Sequence, residues 1–134
     1  MRYMLDTNMI IKAMKGMPET VLIKYKNNLN NMCISSISYS ELVYGISKSN
    51  KKHQLQNMVS LSNILTPMTI LSYDDGCSMC YGELRYDLEK RGCLIGSLDM
   101  LIAAHAKTLG LTLVTNNTKE FERVNGLLIE DWSD

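Results

Sequence analysis

The sequence has no surplus of charge. Fourteen lysines and arginines balance fourteen aspartates and glutamates, leaving a formal net charge of zero. That excludes a protein that grips nucleic acid by bulk positive charge. Any nucleic-acid chemistry needs a local basic rim, a bound cation, or a partner that carries the charge. Long apolar runs are missing too, so no stretch approaches the length of a membrane span. The opening Met1-Arg2-Tyr3-Met4-Leu5 passes straight into Asp6 without the apolar segment of a secretory signal. Cysteines are few and irregularly placed, at 33, 77, 80 and 93. A chain of 134 residues buries enough apolar surface to fold without disulfides. The expectation is a reduced cytoplasmic protein, a single domain over residues 1–134, with no membrane association. No internal repeat, linker or low-complexity tract interrupts it.

What is present is a regular alternation of short apolar runs and helical patterns. Tyr3-Met4-Leu5, Met32 to Ser35, Thr69 to Leu71, Leu111 to Val114 and, more weakly, Leu127 to Ile129 read as strands. Helical spacing is expected over Met9–Met14, Glu19–Asn28, a segment opening at Ser38, Gln54–Ser62, Asp74–Lys90 and Leu98–Leu109, the last capped by Ser97. Asn27–Asn31 reads as a loop and Lys48–Lys52 as a polar turn. Short, fully apolar strands alternating with helices predict an α/β fold, a parallel sheet of four to five strands covered on both faces.

In such sheets the sites form at the carboxyl ends of the strands. Asp6 follows the first strand, Glu41 lies near the start of the helix after the second, and Asp99 falls in the first turn of the helix before the fourth. Asn116, Asn117 and Glu120 follow the fourth strand. Acids gathered without basic partners repel one another unless a divalent cation neutralises them. All-oxygen donors select Mg2+ or Mn2+ over zinc. Such an ion activates water against a phosphodiester and stabilises the charge that builds on its oxygens. Each acid also has a plainer role open to it. Asp6 suits a helix cap, Ser38-x-x-Glu41 has the spacing of a capping box, and Asp99 favours a helix dipole. The functional reading rests on all of them lying at one edge of the sheet.

At these residues the chain resembles the PIN-domain family and, within it, the VapC toxins. The likeness is carried by Met4-Leu5-Asp6-Thr7-Asn8, by Ile34-Ser35-Ser36 with Ser40-Glu41-Leu42-Val43-Tyr44-Gly45, and by Gly96-Ser97-Leu98-Asp99 running to Ala106. It continues through Leu113 to Phe121 and the tail Glu130-Asp131-Trp132. The resemblance implies an α/β/α sandwich in which Asp6, Glu41 and Asp99 hold one or two Mg2+ or Mn2+ ions. It implies cleavage of single-stranded RNA, leaving a 5′-phosphate and a 3′-hydroxyl. Transfer RNA, including the anticodon loop of the initiator, is the implied target. A VapB-like antitoxin is the implied inhibitor, and it alone carries operator DNA binding. A homodimer and a larger toxin–antitoxin assembly are implied with it.

The sequence departs from a common family pattern at Asn117, where an acid often stands. Either Asn117 or Glu120 completes the site. An inactive PIN-like binding module is the alternative that Asn117 favours. Thr115 and Ser97 are expected to support the acids or contact phosphate. Arg85 and Lys119, with Lys12, Lys15 and Lys107, are expected to form the basic rim. Cys77 and Cys80 are expected in the core, His105 as a packed or surface residue, and His53 in solvent.

Overall fold

The computed structural model describes all 134 residues. In chain order the elements are β1 (Tyr3–Leu5), α1 (Thr7–Lys15), α2 (Glu19–Asn27), β2 (Met32–Ser35), α3 (Ser36–Ser47) and α4 (Lys51–Leu65). They continue with β3 (Thr69–Leu71), α5 (Asp75–Lys90), α6 (Ser97–Leu109), β4 (Thr112–Val114), α7 (Thr118–Phe121) and β5 (Leu128–Glu130). The five strands form one sheet in the order β3-β2-β1-β4-β5, every pair parallel. The expected α/β fold with helices on both faces is what forms.

Strand alternation divides the core. Tyr3, Leu5, Met32, Ile34 and Val114 point to one face, where they pack with Met9, Ile10, Val21, Leu61 and Trp132. Met4, Cys33 and Leu113 point to the other, against Leu84, Leu88, Ile102, Ala103 and Phe121. A strand buried on both faces leaves little room for polar residues, which is why β1 is continuously apolar and β4 has only Thr112 as an exception. The edge strands β3 and β5 contain only exposed and half-buried residues. No helix is long and apolar enough to cross a membrane.

Four local readings need correction. Helix α3 begins at Ser36, because Ser35 at the end of β2 is already extended and its hydroxyl accepts from the Ile37 amide. Ser38 therefore lies inside the helix, and the Ser38–Glu41 capping box does not exist. Ser97 does not cap α6; Gly96 takes the N-cap position and Ser97 is the first helical residue. The polar turn at Lys48–Lys52 is shorter than expected, since Asn50 caps α4 through the Lys52 amide. His53 consequently lies on a helix, though exposed as expected. The short helix α7 had no periodic signal, four residues being too few to show one.

Candidate active site

Chain order in the sheet reverses between β1 and β4, so these neighbours mark the point where the crossovers diverge and leave a crevice at their carboxyl ends. Leu5 pairs with Val114, and Val114 with Glu130. The next residue on each strand, Asp6, Thr115 and Asp131, is delivered side by side to that crevice.

Asp6 is buried, 6% exposed. It caps α1, its Oδ1 accepting from the Met9 amide at 2.9 Å, and the neighbouring Thr115 hydroxyl favours its charged form. The cap role and a site role are thus compatible, because only part of the carboxylate is used. Thr115 is fully buried, and its Oγ1 accepts from the Asn117 amide at 3.0 Å. It supports Asp6 and has no free surface to offer a phosphate. Glu41, half-buried on α3, accepts from the Thr7 hydroxyl at 2.7 Å, which joins the helices after β1 and β2. Asp99 is half-buried in the first turn of α6. A Cβ added at Gly96 would meet Asp99 Oδ2 at 3.2 Å, so glycine at that cap lets the carboxylate fold back closely. Glu120, on α7, accepts from Asn117 Nδ2 at 2.9 Å.

The electrostatics show that these acids share one environment. Asp6 is pushed up to about 6, first by burial and then by the charges of Glu41 and Asp131, although the Thr115 hydroxyl and the Met9 amide pull the other way. Asp99 is also pushed up to about 6. Burial is the main cause, followed by the charges of Glu120, Asp6 and Glu41 and a hydrogen bond with Glu120. No lysine or arginine pairs with any of them. The two ion pairs in the molecule, Arg85–Glu89 and Arg91–Asp87, both lie on or just beyond α5. No three of the acid, histidine or cysteine side chains converge tightly enough to ligate one ion directly. The donor set nonetheless suits a hard cation that keeps part of its water shell, since one or two carboxylates then bind directly and the others through water.

The remaining expected residues fall as follows. Asn117 is brought in as the group that orients Glu120. Asn116, Lys119 and Ser97 are exposed at the rim. Arg85 is not drawn to the acids: it points out from α5, bonded to the Tyr81 hydroxyl at 2.7 Å and paired with Glu89. Cys77 is buried, Cys80 half-buried, and both are free thiols, as the helical face predicted. His105 is buried. Two contributors escaped the sequence reading. Thr7 was visible beside Asp6, but its partner lies 34 residues away and could not be inferred. Asp131 was visible only as part of the tail motif, because its position depends on the register of the weakest strand. Beside Glu41, a cavity of about 420 Å³ opens between α1, α3 and α4, lined by Thr7, Ile11, Lys15 and Ile46 among others.

Comparison with known proteins gives concordant matches. The PIN domain model matches residues 3–127. The tRNA(fMet)-specific endonuclease VapC of Shigella flexneri is 40% identical, covering 99% of both chains. Ribonuclease VapC2 of Rickettsia felis is 44% identical, covering 98% of both. Among solved structures, VapBC2 from Rickettsia felis bound to a DNA fragment from its promoter superposes with a TM-score of 0.91 at 42% identity. That match covers 98% of this chain and 99% of the other.

Proposed function

This chain belongs to the PIN-domain family, and from that premise we propose that it is the toxin of a VapBC-type pair, an endoribonuclease that hydrolyses RNA phosphodiesters with a divalent cation. One observation carries the reading. Acids from the end of β1 and from α3, α6 and α7 meet at one strand edge with no lysine or arginine paired to any of them, and two are raised to about 6. Asp6, Glu41 and Asp99 would hold Mg2+ or Mn2+, with Glu120 completing the charge and Asn117 aiming it. When bound, the ion supplies an acidified water as nucleophile and offsets the charge that develops on the phosphate.

The chain's own residues do the rest. Thr115 holds Asp6 and Thr7 holds Glu41 in fixed directions. The buried floor under Asp6 lowers the local dielectric, which strengthens every interaction of a phosphate with bound positive charge. Lys119 and Ser97, both exposed, would meet backbone oxygens of the RNA, while Arg85 would reach them only after leaving Tyr81 and Glu89. Initiator transfer RNA is the proposed target, on the name of the Shigella flexneri relative. The inhibitor is a VapB-like antitoxin, supported by the similar VapBC complex, and operator DNA is reached through that antitoxin. The groove beside Glu41 suits an antitoxin tail with apolar residues and one basic side chain. A dimer, a larger complex with the antitoxin, and a cytoplasmic site of action complete the proposal, with residues 1–134 as one domain. An inactive binding module is less well supported, because Asn117, standing where an acid often does, holds the acid Glu120 through its side-chain amide.

The test is incubation of purified protein with initiator transfer RNA and Mg2+. Cleavage in the anticodon loop that stops on chelation and is absent in folded Asp6→Asn supports the proposal. Intact initiator alongside cut ribosomal RNA overturns the target, and no RNA cleavage at all overturns the activity.

A further inference from the structure

Glu41 and Asp99 ride on helices that begin at different strand ends and are separated by 58 positions of sequence. Something must fix their mutual distance if they are to serve one ion. The molecule contains a single fully buried hydrogen bond between two side chains, and it joins the supports of these two acids. His105 Nδ1 meets Ser35 Oγ at 2.8 Å, both residues having 1% exposure or less. Ser35 is the N-cap of α3, six residues before Glu41. His105 lies on α6, six residues after Asp99. Each acid is thus about 9 Å of helix from the same bond. The ring is further fixed edge-on by Tyr73, 5.7 Å away, whose own backbone amide donates to the Ser36 hydroxyl.

Burial holds the imidazole pKa down, countered only weakly by Asp74, so the ring is neutral. A neutral imidazole offers one donor and one acceptor nitrogen. Ser35 Oγ already accepts from the Ile37 amide at 3.1 Å, which leaves its hydrogen free for Nδ1. The bond therefore completes the cap of α3 and ties it to α6 at once. An apolar side chain would fill the space but would leave the helices free to slide.

We propose that His105 is a positioning residue for cation binding: through Ser35 it sets the separation of the helices that carry Glu41 and Asp99. This rests on the divalent-ion reading of the acid pocket. The experiment measures Mn2+ binding to the purified full chain by calorimetry, with thermal unfolding and RNA cleavage at graded Mn2+ recorded in parallel. The parent binding Mn2+ is the control on which the reading itself depends; a parent that binds none overturns both. With the parent binding, His105→Leu is expected to weaken Mn2+ affinity by about tenfold, the size usual for groups that orient metal ligands. Cleavage should then be recovered largely by raising Mn2+. His105→Asn, which keeps a polar atom near the Nδ1 position, should recover most of the affinity. Ser35→Ala should weaken Mn2+ binding in the same direction, which covers the case of a His105→Leu chain that does not fold. Unchanged Mn2+ affinity in folded His105→Leu or Ser35→Ala overturns the inference. An Asn variant no better than Leu overturns it as well.

Discussion

Two regions of this molecule gather carboxylates, and they treat them in opposite ways. Along α5, Asp87 and Glu89 each face an arginine one turn away, and Arg91 holds the Asp87 carboxyl below its ordinary range. At the strand edge, Asp6 and Asp99 are paired with no cation, lie among other acids in buried surroundings, and are both lifted to about 6. The residue type is the same; the difference lies in whether a cation was folded in with it. The pairs on α5 are local, exposed i,i+4 contacts of small energetic weight. The unpaired group is assembled from distant segments at a cost to stability, which is the mark of a place kept for something not supplied by the chain.

The comparison breaks most visibly by neutralising an acid in each region. Asp6→Asn or Asp99→Asn should lower RNA cleavage by more than about 100-fold, since even groups that merely orient a metal ligand are worth 10–100-fold. Asp87→Asn should leave the rate within about twofold, because its partner is exposed and remote from the pocket. Equal losses in the two regions, read by single-turnover cleavage, would erase the distinction.

Next in size is the fourth position. Glu120→Gln should approach the loss seen for Asp99→Asn, whereas Asn117→Ala removes only an orienting bond and should cost about tenfold. The reverse order would make the amide the direct participant.

Proton linkage gives a third test. A carboxylate raised from 3.8 to about 6 binds its proton more tightly in the folded state than in the unfolded. The stabilising contribution is therefore fully present below pH 3.8 and lost as pH rises to about 6. Metal-free protein carrying Asp6→Asn should be more stable than the parent at pH 7, by about 3 kcal/mol, with the gap closing near pH 4. Mn2+ affinity runs the other way, falling as pH drops through 6 because the proton competes for the same oxygens. Denaturant unfolding and calorimetry at the two pH values read both.

The smallest effect is expected from Thr7→Val, which frees Glu41 without discharging it. A loss of about tenfold or less in cleavage follows from one hydrogen bond to a charged acceptor, while unfolding should shift little.

The local chemistry of the fold was readable wherever one residue's environment is set by its neighbours. β1, β2 and β3 fall where their apolar runs stand, and α1 and α6 stop at Gly16 and Gly110, both left-handed, where glycine alone is unstrained. The capping errors at Ser38 and Ser97 share one cause. In each case the residue that ends the preceding segment, Ser35 of β2 or Gly96, takes the cap position ahead of the serine the sequence pointed to. Asp6, Glu41 and Asp99 could be named in advance, since strand ends in parallel sheets are where sites form. Thr7 as the partner of Glu41, and Asp131 beside Asp6, could not, because both follow from strand register and helix packing.

By itself the sequence determined which segments become the strands and the longer helices, that the sheet is parallel and covered on both faces, and which acids stand near strand ends or helix starts. Only the tertiary structure decided that Thr115 would be sealed beneath Asp6, that Asn117 would turn Glu120 toward the cluster, and that Ser35 would meet His105 across two layers. Periodicity and capping act over a few residues and leave a trace in the order of the chain. Contacts between elements depend on how whole helices settle against the sheet, and no short stretch of sequence encodes that.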